Sequence, residues 1–492
     1  MKKLIGIDIG TSNIKAELYD IEGNILDTVS KSYSTYFGAG NIAEQDARDW
    51  ENVSIEILNF LFDKYDEIEA IGMSTQGGTL VLTDKGYNPI RRAITWMDAR
   101  ASDEKSEILE KISVEKIYRI TGWKLLSILP LLQINWLKKN EPDNFSKANN
   151  FMFVGDYMQQ KLCGRSLNDY SSASISMLFD INKKNWSDEL LEVISLDRKK
   201  LNNPSPSDEI IGLINSKNIS NKSKKTIMSN SAHDQYCVAL SSNIEEGNKL
   251  LLSTGTAWAI FKNTDKPFFN KYFYSPGVHI LPDTYGLMSV VPTGGTVFNW
   301  FLNTFFENGK DSKIFLQDTE EDFEKITNIK NKCIFVPLFS GMFGPYWNSE
   351  ITGSIENLTF DSDRVNIYKA VLEGVSFQFK WITESLKEIG VNFDSIKIIG
   401  GAAKSKIQCQ IISDITGYKV IRPKNMKLNY ACRGAAMIAG VSSKTYKDFN
   451  EASRHFKELE EEFYPNGNNL SFYENKYEMY KNAVFKKSSM AK

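Results

Sequence analysis

Four short segments of the 492-residue chain carry residue types that phosphate binding, metal binding or proton transfer requires: three place glycine beside hydroxyl or acidic side chains, and one places an aspartate among small residues. In the first segment, Asp8 is followed by Gly10, Thr11 and Ser12. A glycine in a tight turn lets backbone N–H groups approach a phosphate closely, and the two hydroxyl groups add donors. Asp8 ends an alternating apolar stretch, where its carboxylate could hold a magnesium ion through water. A plain hairpin turn is the competing interpretation.

Two further glycine segments lie in the second half of the chain. Residues 253–256 repeat the order of strand, Gly-Thr turn and strand, and two such turns could meet a phosphate chain from both sides. Gly400 and Gly401 follow an apolar strand and open a helix, where small residues admit a base or a phosphate. The alternative for residues 253–256 is that the repeat arose by chance, and the alternative for Gly400 and Gly401 is close packing of the helix on the strand. The GxGxxG spacing is missing, so a dinucleotide-binding fold is not indicated.

The fourth segment, residues 231–235, carries Asp234 in a loop of small residues near the middle of the chain. An aspartate in such a place is a candidate general base, which would accept a proton from a substrate hydroxyl during phosphoryl transfer. A loop-capping aspartate is the alternative. Ser231, His233 and Asp234 also suggest a hydrolase triad, but adjacent residues rarely point at one another and there is no GxSxG segment.

The composition is that of an ordinary soluble globular protein, with 42% hydrophobic and 24% charged residues. The 59 basic and 61 acidic side chains nearly cancel, which argues against a nucleic-acid partner. No apolar run reaches the roughly 18–20 residues needed to cross a bilayer, and Asp8 interrupts the one stretch that begins like a signal peptide. Five scattered cysteines give no zinc spacing or disulfide framework, so we expect a cytoplasmic protein.

The elements that must position these segments are those of an α/β protein with two domains. Residues 5–9 and 14–18 alternate between apolar and polar side chains, which predicts two strands of a meander joined at the first glycine turn. Residues 50–62 have apolar side chains at helical spacing, and residues 70–74 read as a buried strand. We place the domains at 1–245 and 246–492, with a peripheral helical tail from about residue 441.

In this order, the segments resemble the FGGY carbohydrate kinases, the family that contains glycerol kinase and xylulokinase. The likeness covers nearly the whole chain, and no single motif would carry it alone. The matching segments are residues 8–12, 44–46, 94–100, 169–174, 177–180, 233–235, 253–256, 372–377 and 400–405.

The resemblance implies two actin-like ATPase (ribonuclease H-like) domains with an interdomain cleft, ATP bound mainly by the second domain and sugar by the first. It implies ATP and Mg²⁺ as cofactors and Asp234 as the general base. The expected ATP-binding residues are Gly10, Thr11, Ser12, Lys15, Gly255, Thr256, Gly295, Gly400, Gly401 and Ser405. The expected substrate-binding residues are Gln76, Gly77, Gly78, Trp96, Asp98, Asp234 and Gln235, and the expected metal ligands are Asp8 and Asp234.

The chain departs from the family pattern at the sugar site. Xylulokinases have Met-His, and glycerol kinases Arg-Glu, where this chain has Gly77 and Gly78. Losing two side chains predicts a roomier pocket and a substrate larger than glycerol, such as a five- or six-carbon ketose or polyol. The alternative is that both glycines only serve a tight turn. Gln133 stands in place of an expected lysine, and His233 in place of the commoner glycine before the aspartate.

Three functions remain open from the sequence. The first is a sugar or polyol kinase that works on a small molecule, with no nucleic acid or membrane partner and a homodimer as a candidate assembly. The second is a catalytically silent sugar sensor of the same fold, suggested by Gly77 and Gly78. The third is an actin-like ATPase that acts on protein partners. Asp8 and Asp234 argue against the second, and the kinase motifs against the third.

Overall fold

The computed structural model describes residues 2–348 and 350–490. In the first half of the chain, strands β1 to β15 span Lys3–Ile9, Asn13–Asp20, Ile25–Ser32, Thr35–Gly38, Ile42–Gln45, Ile68–Thr75, Val81–Thr83, Ala93–Ile94, Asn150–Met152, Asn168–Asp169, Phe179–Asp180, Asn185–Trp186, Pro204–Ser205, Ile210–Leu213 and Ile227–His233. Helices α1 to α9 span Ala47–Lys64, Lys105–Lys111, Val114–Thr121, Pro130–Asn140, Pro142–Lys147, Val154–Cys163, Tyr170–Ile175, Asp188–Ile194 and Asp234–Ser241.

In the second half, strands β16 to β24 span Lys249–Thr254, Trp258–Thr264, Ser275–Val278, Tyr285–Val291, Ile334–Val336, Ser354–Glu356, Ser395–Gly400, Lys419–Pro423 and Glu460–Phe463. Helices α10 to α17 span Thr296–Phe305, Gly309–Glu321, Phe323–Asn328, Arg364–Glu388, Lys406–Thr416, Tyr430–Ser442, Phe449–His455 and Leu470–Met490. Short 3-10 helices occur at Arg100–Glu104, Arg198–Lys200, Asn221–Lys225, Ala402–Lys404 and Gly467–Asn469.

Each half of the chain builds one large mixed sheet, and the two sheets follow the same plan. The first has the order β14-β15-β6-β1-β2-β3, with β1, β6 and β15 parallel and the outer pairs antiparallel. The second has the order β18-β19-β17-β16-β22-β23-β24, with β16, β22 and β23 parallel and the outer pairs antiparallel. The predicted two-domain α/β architecture is confirmed.

The elements read from local patterns are present. The predicted meander is β1, β2 and β3, and the predicted buried strand is β6. Helix α1 starts at the cap residue Asp46, whose side chain accepts from the Arg48 backbone, and it buries Trp50, Leu58 and Leu61 as the helical spacing indicates. None of the helices in the described ranges is long and apolar enough to cross a membrane.

One helix from the second half of the chain packs against the sheet of the first. Helix α15 lies so close to β1 and β6 that a Cβ atom added at Gly6 would be 1.8 Å from the Cys432 carbonyl oxygen. A Cβ atom at Gly72 would be 1.9 Å from the Ala435 carbonyl oxygen. The same helix packs against α9, the helix that begins with Asp234. The glycines therefore allow the helix to support the strands that carry the acidic residues.

The end of the chain differs from the predicted peripheral helical tail. Residues 460–463 form β24, which pairs with β23 and completes the second sheet. Helix α17 is anchored in the domain core, because Lys476 donates to Glu373 at 2.6 Å and to Asn331 at 2.9 Å while its side chain is 1% exposed. The tail prediction was wrong since four residues rich in glutamate gave no strand pattern, and their pairing partner is distant in sequence.

Replacing Gly72 with alanine tests the contact between α15 and the first sheet. The added methyl group would overlap the Ala435 carbonyl, so we expect the free energy of unfolding to fall by about 1–3 kcal/mol. Gly212 lies on edge strand β14 of the same sheet with nothing within 4 Å of its added Cβ atom. Gly212→Ala should therefore stay within about 0.5 kcal/mol of the wild type. Urea unfolding measures both, and equal losses would contradict the packing described.

Candidate active site

The candidate acidic residues meet at the carboxyl ends of three parallel strands. Asp8 lies near the end of β1, Gln76 follows the end of β6, and Asp234 follows the end of β15. The pairing register aligns Asp8 with Ser74 and Ser74 with Ala232, so the three strands end at one level. This edge of a parallel sheet is the usual place for a ligand site.

Asp8 is held in an environment that disfavours its charge. The Ser74 hydroxyl donates to Asp8 Oδ1 at 2.8 Å, and Lys15 is its partner across the β1–β2 pair. Burial, and after it the nearby Asp234 carboxylate, raise the pKa of Asp8 to about 7, while Ser74 and Lys15 act in the opposite direction. Two carboxylates that repel each other in this way would be stabilised by a bound cation.

A magnesium ion fits this donor set. Mg²⁺ prefers oxygen ligands and usually keeps several waters, binding one or two carboxylates together with substrate phosphates. The described residues contain no group of three or more His, Cys, Asp or Glu side chains arranged as a metal site. The two carboxylates would therefore hold the ion together with water and phosphate oxygens.

Asp234 begins helix α9 and remains accessible, with 29% of its side chain exposed. Desolvation raises the pKa of Asp234 to about 6, and hydrogen bonds from Gln235 oppose this rise. The neighbouring His233 places Nε2 at 3.1 Å from Asp234 Oδ1. Burial lowers the pKa of His233 to about 4, so the imidazole is neutral at pH 7. Adjacent residues do point at each other here, contrary to the expectation from sequence.

The hydrolase triad is nevertheless not formed by this histidine and the nearby serine. The Ser231 hydroxyl donates to Asp169 Oδ2 at 3.2 Å and not to the imidazole. Asp169 also accepts from Ser171, whose hydroxyl in turn accepts from the His233 backbone N–H. The serines of this region therefore hold the strand end in place.

The first glycine turn is fixed by contacts to its carbonyl oxygens. Tyr33 donates to the Gly10 carbonyl, and Gln45 Nε2 donates to the Thr11 carbonyl at 2.7 Å. Trp96, which is 39% exposed, donates from Nε1 to the Thr11 hydroxyl at 3.1 Å. This bond brings an expected sugar-binding residue to an expected phosphate-binding residue. Ser12 lies exposed at the tip of the turn.

The glycine segments of the second domain form one connected cluster around Thr254. Gly401 N–H donates to the Thr254 carbonyl at 2.6 Å, and the Ala402 N–H donates to the Thr254 hydroxyl at 2.9 Å. Gly400 has a positive φ of 87°, which glycine adopts without strain. Gly295 packs on the other side, where its N–H donates to the Thr256 carbonyl at 2.8 Å.

Ser405 has a local structural task in addition to its predicted one. Its hydroxyl accepts from the Gln408 N–H at 3.0 Å, which caps the start of helix α14, and it donates to Glu320. The Lys406 N–H also donates to Glu320, at 3.0 Å. Helix α11 is thereby tied to the start of α14.

Two predicted sugar-binding residues are buried within hydrogen-bond networks. Asp98 is fully buried, and it accepts from the Ala43 N–H at 2.7 Å and from Arg100 Nε through both carboxylate oxygens, at 2.9 and 3.0 Å. Gln76 donates to Gln45 Oε1 at 2.8 Å, while its own Oε1 has no partner among the described residues. Asp98 therefore supports the Trp96 segment, whereas Gln76 has an acceptor left over.

Gly77 and Gly78 do border the site, and the space beside Gly77 is occupied by another side chain. A Cβ atom at Gly77 would lie 2.5 Å from His233 Cδ2 and 2.6 Å from Nε2, so the imidazole fills that space. At Gly78 the nearest side chains would be Leu129 at 3.1 Å and Trp96 at 3.5 Å, and φ is +68°. The departures at 77 and 233 therefore compensate each other beside Gly77, while the size of the whole sugar pocket stays a prediction.

Sequence reasoning missed the residues that hold the others in place. Ser74 and Tyr33 contact Asp8 and Gly10, and Gln133 donates to the Thr95 carbonyl at 3.1 Å, next to Trp96. Gln133 is fully buried although it is polar; the sequence marked it only as standing in place of an expected lysine and gave it no role. Ser74 and Tyr33 lie in ordinary strand-like stretches, where nothing local marks them.

Comparison with known proteins identifies the protein family of this chain. The model of the FGGY family of carbohydrate kinases, N-terminal domain, matches residues 3–241, and the C-terminal domain model matches residues 250–443. The chain belongs to the FGGY family and is a carbohydrate kinase that uses ATP. Among curated relatives, it is 29% identical over 496 residues to a xylulose kinase of Staphylococcus xylosus, covering 98% of this chain and 99% of that one.

Solved structures agree on the fold. A ligand-bound xylulose kinase from Lactobacillus acidophilus has a TM-score of 0.88 at 24% identity, with 98% of each chain covered. A gluconate kinase from the same organism has a TM-score of 0.88 at 24% identity, covering 100% of this chain and 98% of that one. The fold is thus common to kinases of different sugars and does not choose among substrates.

Substitutions in the glycine cluster separate nucleotide binding from folding. A Cβ atom at Gly255 or Gly401 would be 3.6 or 3.4 Å from its nearest neighbour, whereas one at Gly295 would be 2.0 Å from the Gly255 carbonyl. We expect Gly255→Val and Gly401→Val to raise the KM for ATP far more than that for sugar, with little change in melting temperature. Gly295→Ala should lower the melting temperature. Equal increases of both KM values would contradict the assigned domain roles.

Proposed function

We propose that this kinase transfers the terminal phosphoryl group of ATP to a hydroxyl of a five- or six-carbon ketose, with Asp234 as general base and Mg²⁺ bound between Asp8 and Asp234. The observation that carries the proposal is that these two carboxylates lie at the ends of parallel strands β1 and β15, on either side of β6, and interact electrostatically. A carboxylate with a raised pKa that is still accessible is suited to take a proton from a hydroxyl.

Asp234 would accept the proton as the sugar oxygen attacks the γ-phosphorus. The new O–P bond forms while the bond from that phosphorus to the bridging oxygen of ADP breaks, so the proton ends on the carboxylate and ADP leaves. Magnesium, when bound, neutralises phosphate charge, and phosphoryl transfer needs mainly positioning and charge stabilisation. Asp8, whose Oδ1 accepts a hydrogen bond from the Ser74 hydroxyl, would hold the ion together with Asp234.

The nucleotide would lie between the turns of the two domains. Gly10, Thr11, Ser12 and Lys15 are proposed to face the phosphates from the first domain. The proposed contacts from the second domain are Gly255, Thr256, Gly400 and Gly401. Gly295 would hold the second-domain turn in place, because its N–H donates to the Thr256 carbonyl. Ser405 would hold the start of helix α14 in place, because its hydroxyl caps that helix.

On the sugar side, Gln76, Trp96 and Gln235 are the proposed contacts to hydroxyl groups. The buried Gln76 carbonyl without a partner would accept from a hydroxyl, and an analogue lacking that hydroxyl would leave it unpaired. Asp98 would act through Arg100 and the Trp96 segment. The homodimer stays a prediction.

The silent-sensor alternative loses its motivation. It was suggested by the two glycines, and the imidazole of His233 occupies the place of one missing side chain while Asp8 and Asp234 are both present. We therefore favour an active kinase.

Asp234→Asn tests the base directly. We expect the turnover number to fall by about 10²–10⁴-fold because the proton acceptor is lost. The dissociation constant for ATP should change only a few-fold, since most nucleotide contacts lie elsewhere, and its measurement by calorimetry is the internal control for folding. A variant that keeps more than about a tenth of wild-type turnover rules out this assignment.

An ADP-release screen across ketoses, polyols and aldonic acids tests the substrate class. We expect the largest kcat/KM for a five- or six-carbon ketose and a much lower value for glycerol, which leaves several polar groups of the pocket unpaired. Glycerol as the best substrate would contradict the proposal.

A further inference from the structure

His233 is a buried residue that neither the family motifs nor the proposed reaction steps account for. Only 4% of the surface of His233 is exposed to solvent, and its imidazole occupies the space beside Gly77. A Cβ atom added at Gly77 would also lie 3.1 Å from Ile175 Cδ1, so this side chain borders the same space. The ring is thus enclosed between the end of β6, helix α7 and the start of α9.

The hydrogen on this imidazole can be assigned from its neighbours. Nε2 lies 3.1 Å from Asp234 Oδ1, whereas the buried Nδ1 has no hydrogen-bond partner among the described residues. An ionised carboxylate only accepts hydrogen bonds. A hydrogen on Nε2 would have this carboxylate oxygen 3.1 Å away as its nearest candidate acceptor, whereas one on Nδ1 would be a buried donor without a partner among the described residues, which is costly.

The position of His233 is also fixed by a hydrogen bond of its backbone and by a contact of its ring. The His233 backbone N–H donates to the Ser171 hydroxyl at 2.9 Å, and that hydroxyl donates to the buried Asp169. The Tyr236 ring lies 5.7 Å from the imidazole, centroid to centroid, on the first turn of α9. A donor fixed in this way can restrict the rotation of the carboxylate that it contacts.

We propose that His233 is a positioning residue, which donates from Nε2 to Asp234 and holds this carboxylate in the orientation that faces the sugar hydroxyl, and that residue 77 must be glycine to leave room for the imidazole. The inference rests on the proposed function of Asp234. It explains two departures from the family pattern together: the glycine at position 77 leaves the space that the imidazole of His233 occupies.

A matched pair of substitutions separates the donor from the volume of the ring. His233→Leu fills similar space without a donor, and His233→Gln places an amide N–H at a similar reach. We expect His233→Leu to lower kcat roughly 10- to 100-fold, the usual effect of losing a hydrogen bond to a charged group, with the KM for ATP within about twofold. His233→Gln should recover most of the loss. Equal losses for the two variants would overturn the positioning role.

A double-mutant cycle tests the link to Gly77. Gly77→Ala should lower kcat in the wild-type background, because the methyl group would displace the imidazole from Asp234. In the His233→Ala background the same change should cost less than about twofold, since the ring is gone and the two effects are not additive. If the effects of the two substitutions on kcat simply multiply in the double variant, the proposed coupling between Gly77 and His233 is contradicted. Wild-type activity on the sugar panel reports separately on the proposed function.

Nitrogen NMR measures the tautomer of His233 directly. This measurement does not depend on enzyme activity, so it can be made even if a variant is poorly active. The chain has three histidines, so ¹⁵N-histidine labelling with His233→Gln as the assignment variant isolates the His233 signals. The account expects the neutral tautomer with hydrogen on Nε2. Hydrogen on Nδ1 would overturn it.

Discussion

The site depends on holding two carboxylates, Asp8 and Asp234, at the ends of parallel strands with only β6 between them. Burial disfavours the charged form of Asp8, and the nearby Asp234 carboxylate adds like-charge repulsion, so that together they raise the pKa of Asp8 to about 7. The hydrogen bond from Ser74 and the charge of Lys15 act in the opposite direction. In the proposed function, a divalent ion would supply the missing positive charge, and phosphate oxygens would supply further ligands to that ion.

The same strand plan appears in both halves of the chain, yet the halves carry different groups at the equivalent edge. The first sheet ends in acidic residues, and the second ends in the glycine turns gathered around Thr254. Helix α15 belongs to the second half in sequence but packs on β1, β6 and α9 of the first half, so it supports the strands and the helix that carry the two carboxylates.

Local pattern was sufficient for much of this fold. The alternation of residues 5–9, the spacing of residues 50–62 and the repeated glycine turn each depend on neighbours along the chain, and all three are found as expected. Strand β24 was missed because it is defined by its partner β23, and the filling of the space beside Gly77 was missed because the ring comes from His233. Such contacts between distant segments leave no periodic signal in the sequence.

The central claim is that the chain couples ATP to a sugar hydroxyl at Asp234. Phosphorus NMR of the wild-type enzyme with MgATP and the best ketose of the panel tests it most directly. The account predicts one sugar phosphate formed for each ADP, no product in the absence of ketose, and loss of both signals with Asp234→Asn. Release of ADP and inorganic phosphate without a sugar phosphate would contradict it.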